Sequence, residues 1–144
     1  MLAADGSLIA WLYLETRVRI DVRWRDLDML GHLNQAVYHE FLEEGRAELL
    51  TSLGGLRDLA FVLARVELDY RHEVRRDHGH VEVVARPASV GRTSIVVDNE
   101  IVLPDGTVAA SGSSVLVAWD PQARGKRELT TAERAALLGA DAAG

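Results

Sequence analysis

Between residues 24 and 38 the chain reads Trp24-Arg25-Asp26-Leu27-Asp28-Met29-Leu30-Gly31-His32-Leu33-Asn34-Gln35-Ala36-Val37-Tyr38. Two carboxylates, a glycine, a histidine and an amide fall within one turn that feeds the start of a helix. The first turn of a helix presents unpaired N–H groups and about half a positive charge, which polarise a carbonyl oxygen. A carboxylate a few residues upstream can stand on the other side of the same carbonyl group. These are the two parts that acyl hydrolysis requires, one to activate or supply a nucleophile and one to hold the oxyanion. A structural role is the competing reading: Asp26 and Asp28 cap the turn, while His32 and Asn34 satisfy buried backbone groups.

Other groups able to do chemistry are more dispersed. On a helical wheel Gln35, His39, Glu43 and Arg46 cluster on one flank. That flank borders a cleft, or it is a solvated face on which Glu43 and Arg46 form an exposed pair worth about 0.3 kcal/mol. His72, His78 and His80 lie near a turn between strands, without a carboxylate–histidine pattern of ligand spacing, so no metal is expected. The run Arg71-His72-Glu73-Val74-Arg75-Arg76 and the group Arg124, Lys126 and Arg127 are either solvated turns or contacts for phosphate, which arginine binds bidentately. There is no glycine-rich phosphate loop and no Gly-x-Ser-x-Gly elbow. Ser111-Gly112-Ser113-Ser114 reads as a strand with close backbone packing or a ligand-lining stretch. The Trp24 and Trp119 rings read as core or interface packing.

The elements that must position these groups follow from periodicity. Residues 17–25 alternate, with Val18, Ile20, Val22 and Trp24 on one face and four arginines and Asp21 on the other, which predicts a half-buried strand. From Gln35 to Leu53 the period becomes helical: Tyr38, Phe41, Leu42, Gly45 and Leu49 form one apolar stripe. Asn34 stands at the N-cap position, and Gly54-Gly55 ends the helix. Residues 60–70 return to alternation, with Val62, Ala64, Val66, Leu68 and Tyr70 opposite Arg65, Glu67 and Asp69. Strands are predicted at 80–87, 92–103 and 107–119, the last two joined by Pro104-Asp105-Gly106, a hairpin signal. Thr130 or Thr131 caps a short helix at about 132–139. One strand, a long helix and then an uninterrupted run of strands predicts an α+β fold with a mostly antiparallel sheet and the helix on one face.

Composition sets the outer limits. The chain has 144 residues, 16 lysines and arginines against 22 aspartates and glutamates, a net charge of −6, 48% apolar residues and no cysteine. This is the size of one domain. Disulfides, cysteine–zinc sites, iron–sulfur clusters and a thiolate nucleophile are excluded. The acidic balance argues against a dedicated nucleic-acid binder. The apolar run Leu8–Leu14 is too short to cross a bilayer and follows no basic residue, so neither a membrane span nor a secretory signal is expected. A cytoplasmic protein with a frayed tail from Leu138 to Gly144 is the expectation.

The 24–38 segment resembles the signature of the hotdog-fold acyl-CoA thioesterases, the 4-hydroxybenzoyl-CoA thioesterase-like family. That signature reads approximately Asp-x-Asp-x-x-Gly-His-x-Asn-Asn-x-x-Tyr, followed by a helix with Phe-Leu-Glu-x-x-Arg. The chain has Asp26, Asp28, Gly31, His32, Asn34 and Tyr38, then Phe41-Leu42-Glu43-Glu44-Gly45-Arg46. Glu67-x-Asp69-Tyr70 and Val90-Gly91-Arg92-Thr93-Ser94 are further family-like features, and the order of elements matches across residues 17–119. Gln35 stands where the signature has its second asparagine. Leu30 replaces the first asparagine of the related run in plant acyl-carrier-protein thioesterases.

The resemblance implies a hotdog fold, an antiparallel sheet wrapped around one long helix, over residues 17–130. An N-terminal extension at 1–16 precedes it, and a short helix and tail at 131–144 follow. It implies hydrolysis of an acyl-CoA or acyl-carrier-protein thioester to acid and thiol. Asp28 matches the catalytic carboxylate, acting as base or nucleophile, and the backbone N–H of Gln35 matches the donor to the thioester oxygen. A second branch of the family uses an acid on the helix, for which Glu43 is the nearest match. Gly31, His32, Asn34 and Tyr38 complete the substrate-binding motif, and Arg92, Thr93 and Ser94 match a strand start that contacts CoA. No metal or redox cofactor is implied, CoA enters only as part of the substrate, and the functional unit is a homodimer or homotetramer. A non-catalytic acyl-thioester-binding module and an enoyl-CoA hydratase-type hotdog enzyme are the alternatives.

Overall fold

The computed structural model describes residues 15–52 and 60–138. All but the last two residues of the expected N-terminal extension, the Gly54-Gly55 helix stop and the tail beyond Leu138 lie outside the described residues. The order is β1 (Thr16–Asp21), α1 (Gln35–Ser52), β2 (Ala60–Tyr70), β3 (His80–Val90), β4 (Ser94–Val102), β5 (Val108–Asp120), β6 (Gly125–Lys126) and α2 (Thr131–Leu138). All pairings are antiparallel, in the order β1-β3-β4-β5-β2, with the two-residue β6 against the end of β5. This is the expected α+β hotdog arrangement, a sheet wrapped around one long helix. Among the described residues no helix is long and apolar enough to cross a membrane.

The predicted stripe is the buried face of α1: Tyr38, Phe41, Leu42, Gly45 and Leu49 are all buried. They divide the core in two. Tyr38, Phe41 and Leu42 pack with Val22, Leu33, Val74, Val81, Val83 and Ile101, whereas Leu49 packs with Ile95, Val97, Leu116, Leu129 and Leu137. Each such side chain, fully buried, contributes about 2 kcal/mol. Gly45 lies between the halves, where a Cβ would come within 2.6 Å of Val83 Cγ1, so a glycine lets the helix settle directly on the sheet.

Three local departures from strict periodicity matter. First, β1 ends at Asp21, and Trp24–Asp26 is a 3-10 turn that leaves the Trp24 ring 74% exposed instead of packed in a core. The reason is a clamp: the Asp26 carboxylate, itself buried, accepts the Arg23 N–H at 2.9 Å and the Arg23 guanidinium at 2.9 and 3.0 Å. Second, a bulge at Ala64 shifts the β2–β5 register between Leu63 and Arg65. Phe61 and Leu63 therefore take the inner face opposite Ala118 and Leu116, and Val62 turns outward with Arg65, Glu67 and Asp69. Third, Gly112 on β5 meets β2 so closely that a Cβ there would fall 1.9 Å from the Glu67 carbonyl oxygen. Close packing is thus the role of the Ser111–Ser114 stretch at this position.

At the far end α2 begins with a reciprocal cap: Thr130 Oγ1 accepts the Glu133 N–H at 3.1 Å and Glu133 Oε1 accepts the Thr130 N–H at 2.7 Å. Arg127 adds a bidentate pair to Glu133 at 2.8 Å for each oxygen.

Gly112→Ala is expected to lose about 3 kcal/mol in denaturant unfolding, because backbone and not a movable side chain blocks the new methyl. Gly125→Ala, which meets nothing within 4 Å, should stay within about 0.5 kcal/mol of the parent. Burial alone would raise the Asp26 and Glu133 carboxyls, but the arginines and N–H donors outweigh it and hold both below the usual carboxylate range. A depressed folded pKa adds stability above the unfolded value and loses it as pH falls through the folded one. The urea midpoint should therefore drop on acidification below about pH 4. A variant carrying Asp26→Asn and Glu133→Gln should be weaker at neutral pH and lose less on acidification.

Candidate active site

The segment after the Arg23–Asp26 clamp folds back on itself. Leu27 and Leu33 form an isolated antiparallel bridge, and the Asp28 N–H donates to the His32 carbonyl at 2.7 Å. Gly31 sits at φ +78°, in the left-handed region that glycine adopts without strain, and its N–H donates to the Asp28 carbonyl at 3.2 Å. Two outside contacts hold the loop: the Leu33 N–H on the Val74 carbonyl at 2.7 Å, and the Asn34 N–H on the Asp26 carbonyl at 2.8 Å.

Within this frame the two carboxylates differ. Asp26 is buried and committed to Arg23, so the structural reading holds for it. Asp28 is exposed, and its Oδ1 accepts the Leu30 N–H at 2.9 Å and the His32 N–H at 3.1 Å. Its Oδ2 has no partner among the described residues, so the side chain is held in place with one oxygen open. Asn34 is the N-cap, its Oδ1 accepting the Ala36 N–H at 3.0 Å while its carbonyl accepts the Val37 N–H at 2.9 Å. That leaves the Gln35 N–H, the first of α1, without an acceptor among the described residues. Asp28, Gly31 and Asn34 line a cavity of about 760 Å³ together with Trp24, Arg25, Leu27 and Met29. Met29 and Leu30 are almost wholly exposed beside it.

The other expected site residues are distributed as follows. The His32 ring is half-exposed, with Nε2 3.7 Å from Glu73 Oε1. Tyr38 is buried, edge-on to Tyr70 with ring centroids 4.9 Å apart, and burial with the neighbouring Tyr70 pushes its hydroxyl pKa up. The Tyr70 hydroxyl in turn donates to the Gln35 carbonyl at 3.5 Å and lies 3.4 Å from His39 Nε2. Glu43 stands two turns further along α1, on a second cavity of about 360 Å³ shared with Arg46, Ala47, Leu50, Phe61, Leu63 and Leu116. Arg92, Thr93 and Ser94 open β4 at the end of β3 opposite His80. There Arg92 pairs with Glu128 at 2.6 Å, and the Thr93 carbonyl takes the Ala118 N–H at 2.8 Å. A full length of β3, roughly 30 Å, separates that group from the Asp28 loop within one chain. The His72 and His78 rings meet edge-on at 6.3 Å, and no group of three potential metal ligands occurs among the described residues.

Arg46 corrects the wheel. It forms no exposed pair with Glu43 but is buried, with only 7% exposure, and its Nη1 donates to Ser114 Oγ at 3.1 Å. Its charge made it read as a solvent-side residue, yet it lies one turn after Leu42 at the edge of the stripe, the signal that would have found it.

The thioesterase superfamily model matches residues 30–110, a stretch that holds Gly31, His32, Asn34, Gln35, Tyr38 and Glu43 and begins two residues after Asp28. A thioesterase from Thermus thermophilus, solved with coenzyme A and zinc, is 34% identical over 84% of this chain and 90% of its own, with a TM-score of 0.76. YbaW of Escherichia coli, a probable thioesterase, is 26% identical over 85% of this chain and 96% of its own, with a TM-score of 0.74. The DHNA-CoA thioesterase of Staphylococcus aureus, 18% identical over 80% of each chain, shares the fold with a TM-score of 0.71. No curated protein matches the chain at a significant level. With a family match across more than half the sequence and the fold shared with a relative 34% identical, the chain belongs to the thioesterase superfamily and is a thioester hydrolase.

Proposed function

We propose that the protein hydrolyses acyl-CoA thioesters to a free carboxylic acid and the thiol, with Asp28 as the reacting carboxylate. The observation that carries this reading is an anchored carboxylate with an open oxygen on a cavity that reaches Asn34, the cap of a helix whose first N–H has no acceptor among the described residues. Asp28 Oδ2 removes a proton from water as the water attacks the thioester carbon, or attacks that carbon itself to form an anhydride that water then cleaves. In either course a C–O bond forms, the C–S bond breaks and the electron pair leaves on sulfur. The negative charge that develops on the carbonyl oxygen is met by the Gln35 N–H and by the positive end of α1. Gly31 and Asn34 shape the turn, and Tyr38 supports it from the core. The solved Thermus structure with coenzyme A, a protein 34% identical, supports CoA as the thiol. A cytoplasmic location goes with this reading, since acyl-CoA is an intracellular metabolite.

The functional unit in this reading is at least a dimer. Among the described residues β2 is an eleven-residue strand paired on one side only, and its other edge, with exposed Val62 and Leu63, is a template for a second strand. A two-fold axis across that edge pairs β2 antiparallel with β2 of the partner. The Tyr70 end of β2 touches Gln35 and His39, whereas the Ala60 end lies against Trp119 beside the Thr93 carbonyl and the Glu43 cavity. Antiparallel pairing therefore brings the Asp28 end of one subunit to the Glu43 and Arg92–Ser94 end of the other, so that residues dispersed in one chain converge across two.

Asp28→Asn is expected to keep the fold and the oligomer and to lose about 100-fold or more in thiol release from acyl-CoA. Unchanged hydrolysis by that variant would transfer the role to Glu43, and release from carrier-protein thioesters alone would overturn CoA as the thiol. Sedimentation equilibrium at micromolar concentration should give a dimer or a multiple of it. A monomer with full activity would exclude a shared site.

A further inference from the structure

Resting on that reading, we infer that the cavity at the middle of α1 receives the distal part of the acyl group, and that Arg46 selects acyl groups carrying a neutral acceptor oxygen there. The cavity, about 360 Å³, is of the size that small ligands fill, and its walls are those of a ligand pocket. Ala47, Leu50, Phe61, Leu63 and Leu116 are apolar, and Arg46 is the one cation among them.

The case for Arg46 comes from counting donors and acceptors. A guanidinium carries five N–H donors and no acceptor. Nη1 donates to Ser114 Oγ at 3.1 Å, Ser114 donates its own proton to Asn99 Oδ1 at 3.0 Å, and both Ser114 and Asn99 are buried. The chain ends there, with Asn99 Nδ2 buried and unpartnered. The network is therefore short of acceptors, not donors. No carboxylate lies within ion-pair distance of Arg46 among the described residues, and its remaining N–H groups have no partner there. A buried cation so placed is costly unless something supplies lone pairs. The cavity is where a supplier fits.

The chemistry of the supplier is narrowed by Glu43. It lines the same cavity one turn before Arg46, and its charge opposes the effect of burial on the guanidinium. The cavity thus already holds one charge of each sign. A carboxylate on the acyl group would meet Glu43 as well as Arg46. A hydroxyl or keto oxygen gains the hydrogen bond without that repulsion. Along α1 the Arg46 turn stands roughly 16 Å from the Gln35 N–H of the same chain. In the antiparallel dimer the partner's thioester site is the one brought to the cavity.

The test compares rates for matched substrates, because a ratio of two kcat/KM values is insensitive to how much of a preparation is folded. The probes are octanoyl-, decanoyl- and dodecanoyl-CoA, each against its terminal hydroxyl, keto and carboxylate counterparts. The parent protein is expected to prefer a hydroxyl or keto substrate over the plain one of equal length by about tenfold or more, and over the carboxylate, as a hydrogen bond to a charged group allows. Arg46→Met should bring that ratio near unity while plain thioesters are still cleaved, and Arg46→Lys should restore part of it. Ser114→Ala, which leaves the guanidinium in place, should retain the preference and serves if Arg46→Met does not fold. A parent without preference at any length, a preference for the carboxylate series, or a ratio that survives Arg46→Met would overturn the assignment. In each of these cases hydrolysis of plain acyl-CoA continues, whereas absence of all thiol release would instead defeat the proposed function.

Discussion

The buried carboxylate of Asp26 determines where the helix starts and which way its first N–H points. Its two oxygens hold the Arg23 backbone and guanidinium at the end of β1, and its carbonyl holds the Asn34 N–H at the start of α1. One residue thus ties the last turn of the strand to the first turn of the helix, across a loop with little apolar side chain to bury. Desolvation makes such a carboxylate expensive unless it is fully bonded, and here every contact is supplied by residues within the same short segment. The Asp28 turn hangs from this clamp. Asp28 is held by two N–H donors on one oxygen, and Asn34 takes the second free N–H of the helix while sparing the first. In the proposed reaction, preorganisation of this kind, with carboxylate and N–H both fixed before substrate arrives, lets electrostatics lower a barrier without reorganisation at the moment of reaction.

From that starting point α1 works as a ruler laid on the sheet. Its first half packs with Val81, Val83 and Ile101 under the Asp28 loop, and its second half with Ile95, Val97 and Leu116 beneath the C-terminal helix. Its Asn34 cap borders one cavity, beside Asp28, and its later turns border a second, mostly apolar one. The close seating at Gly45 keeps the two in register. The net charge of −6 says little about either cavity, since the residues that line them include the cap of a helix, Arg25 and Arg46.

Most of this frame was legible in the residues because it repeats. The stripe from Tyr38 to Leu49, the Asn34 cap and the Asp105-Gly106 hairpin turn obey local rules, and local rules survive folding. Where a single residue breaks a repeat the pattern is silent. Trp24 continues the alternation of β1 on paper, but the Arg23–Asp26 clamp ends the strand before it. Ala64 is an ordinary strand residue in composition, and nothing about it announces a bulge. Arg46 was hidden for the opposite reason, because a charge outweighs position when faces are assigned by hydropathy. Arg92–Ser94 lies far from Asp28 in one chain, a separation that follows from β3 running between them and that no local pattern expresses.

The bulge in β2 has a consequence for how such a pocket changes over generations. By skipping one residue, the strand presents Phe61 and Leu63 to the cavity and sends Val62 outward, while the Tyr70 end keeps its parity with the Asp28 loop. Pairing of the same residues without the bulge would turn Ala60, Val62 and Ala64 inward, trading two large walls for smaller ones and enlarging the cavity. No residue of the helix or of the Asp28 turn would move. The shape of this pocket is therefore adjustable through the presence or absence of a bulge in an edge strand, independently of the turn before the helix.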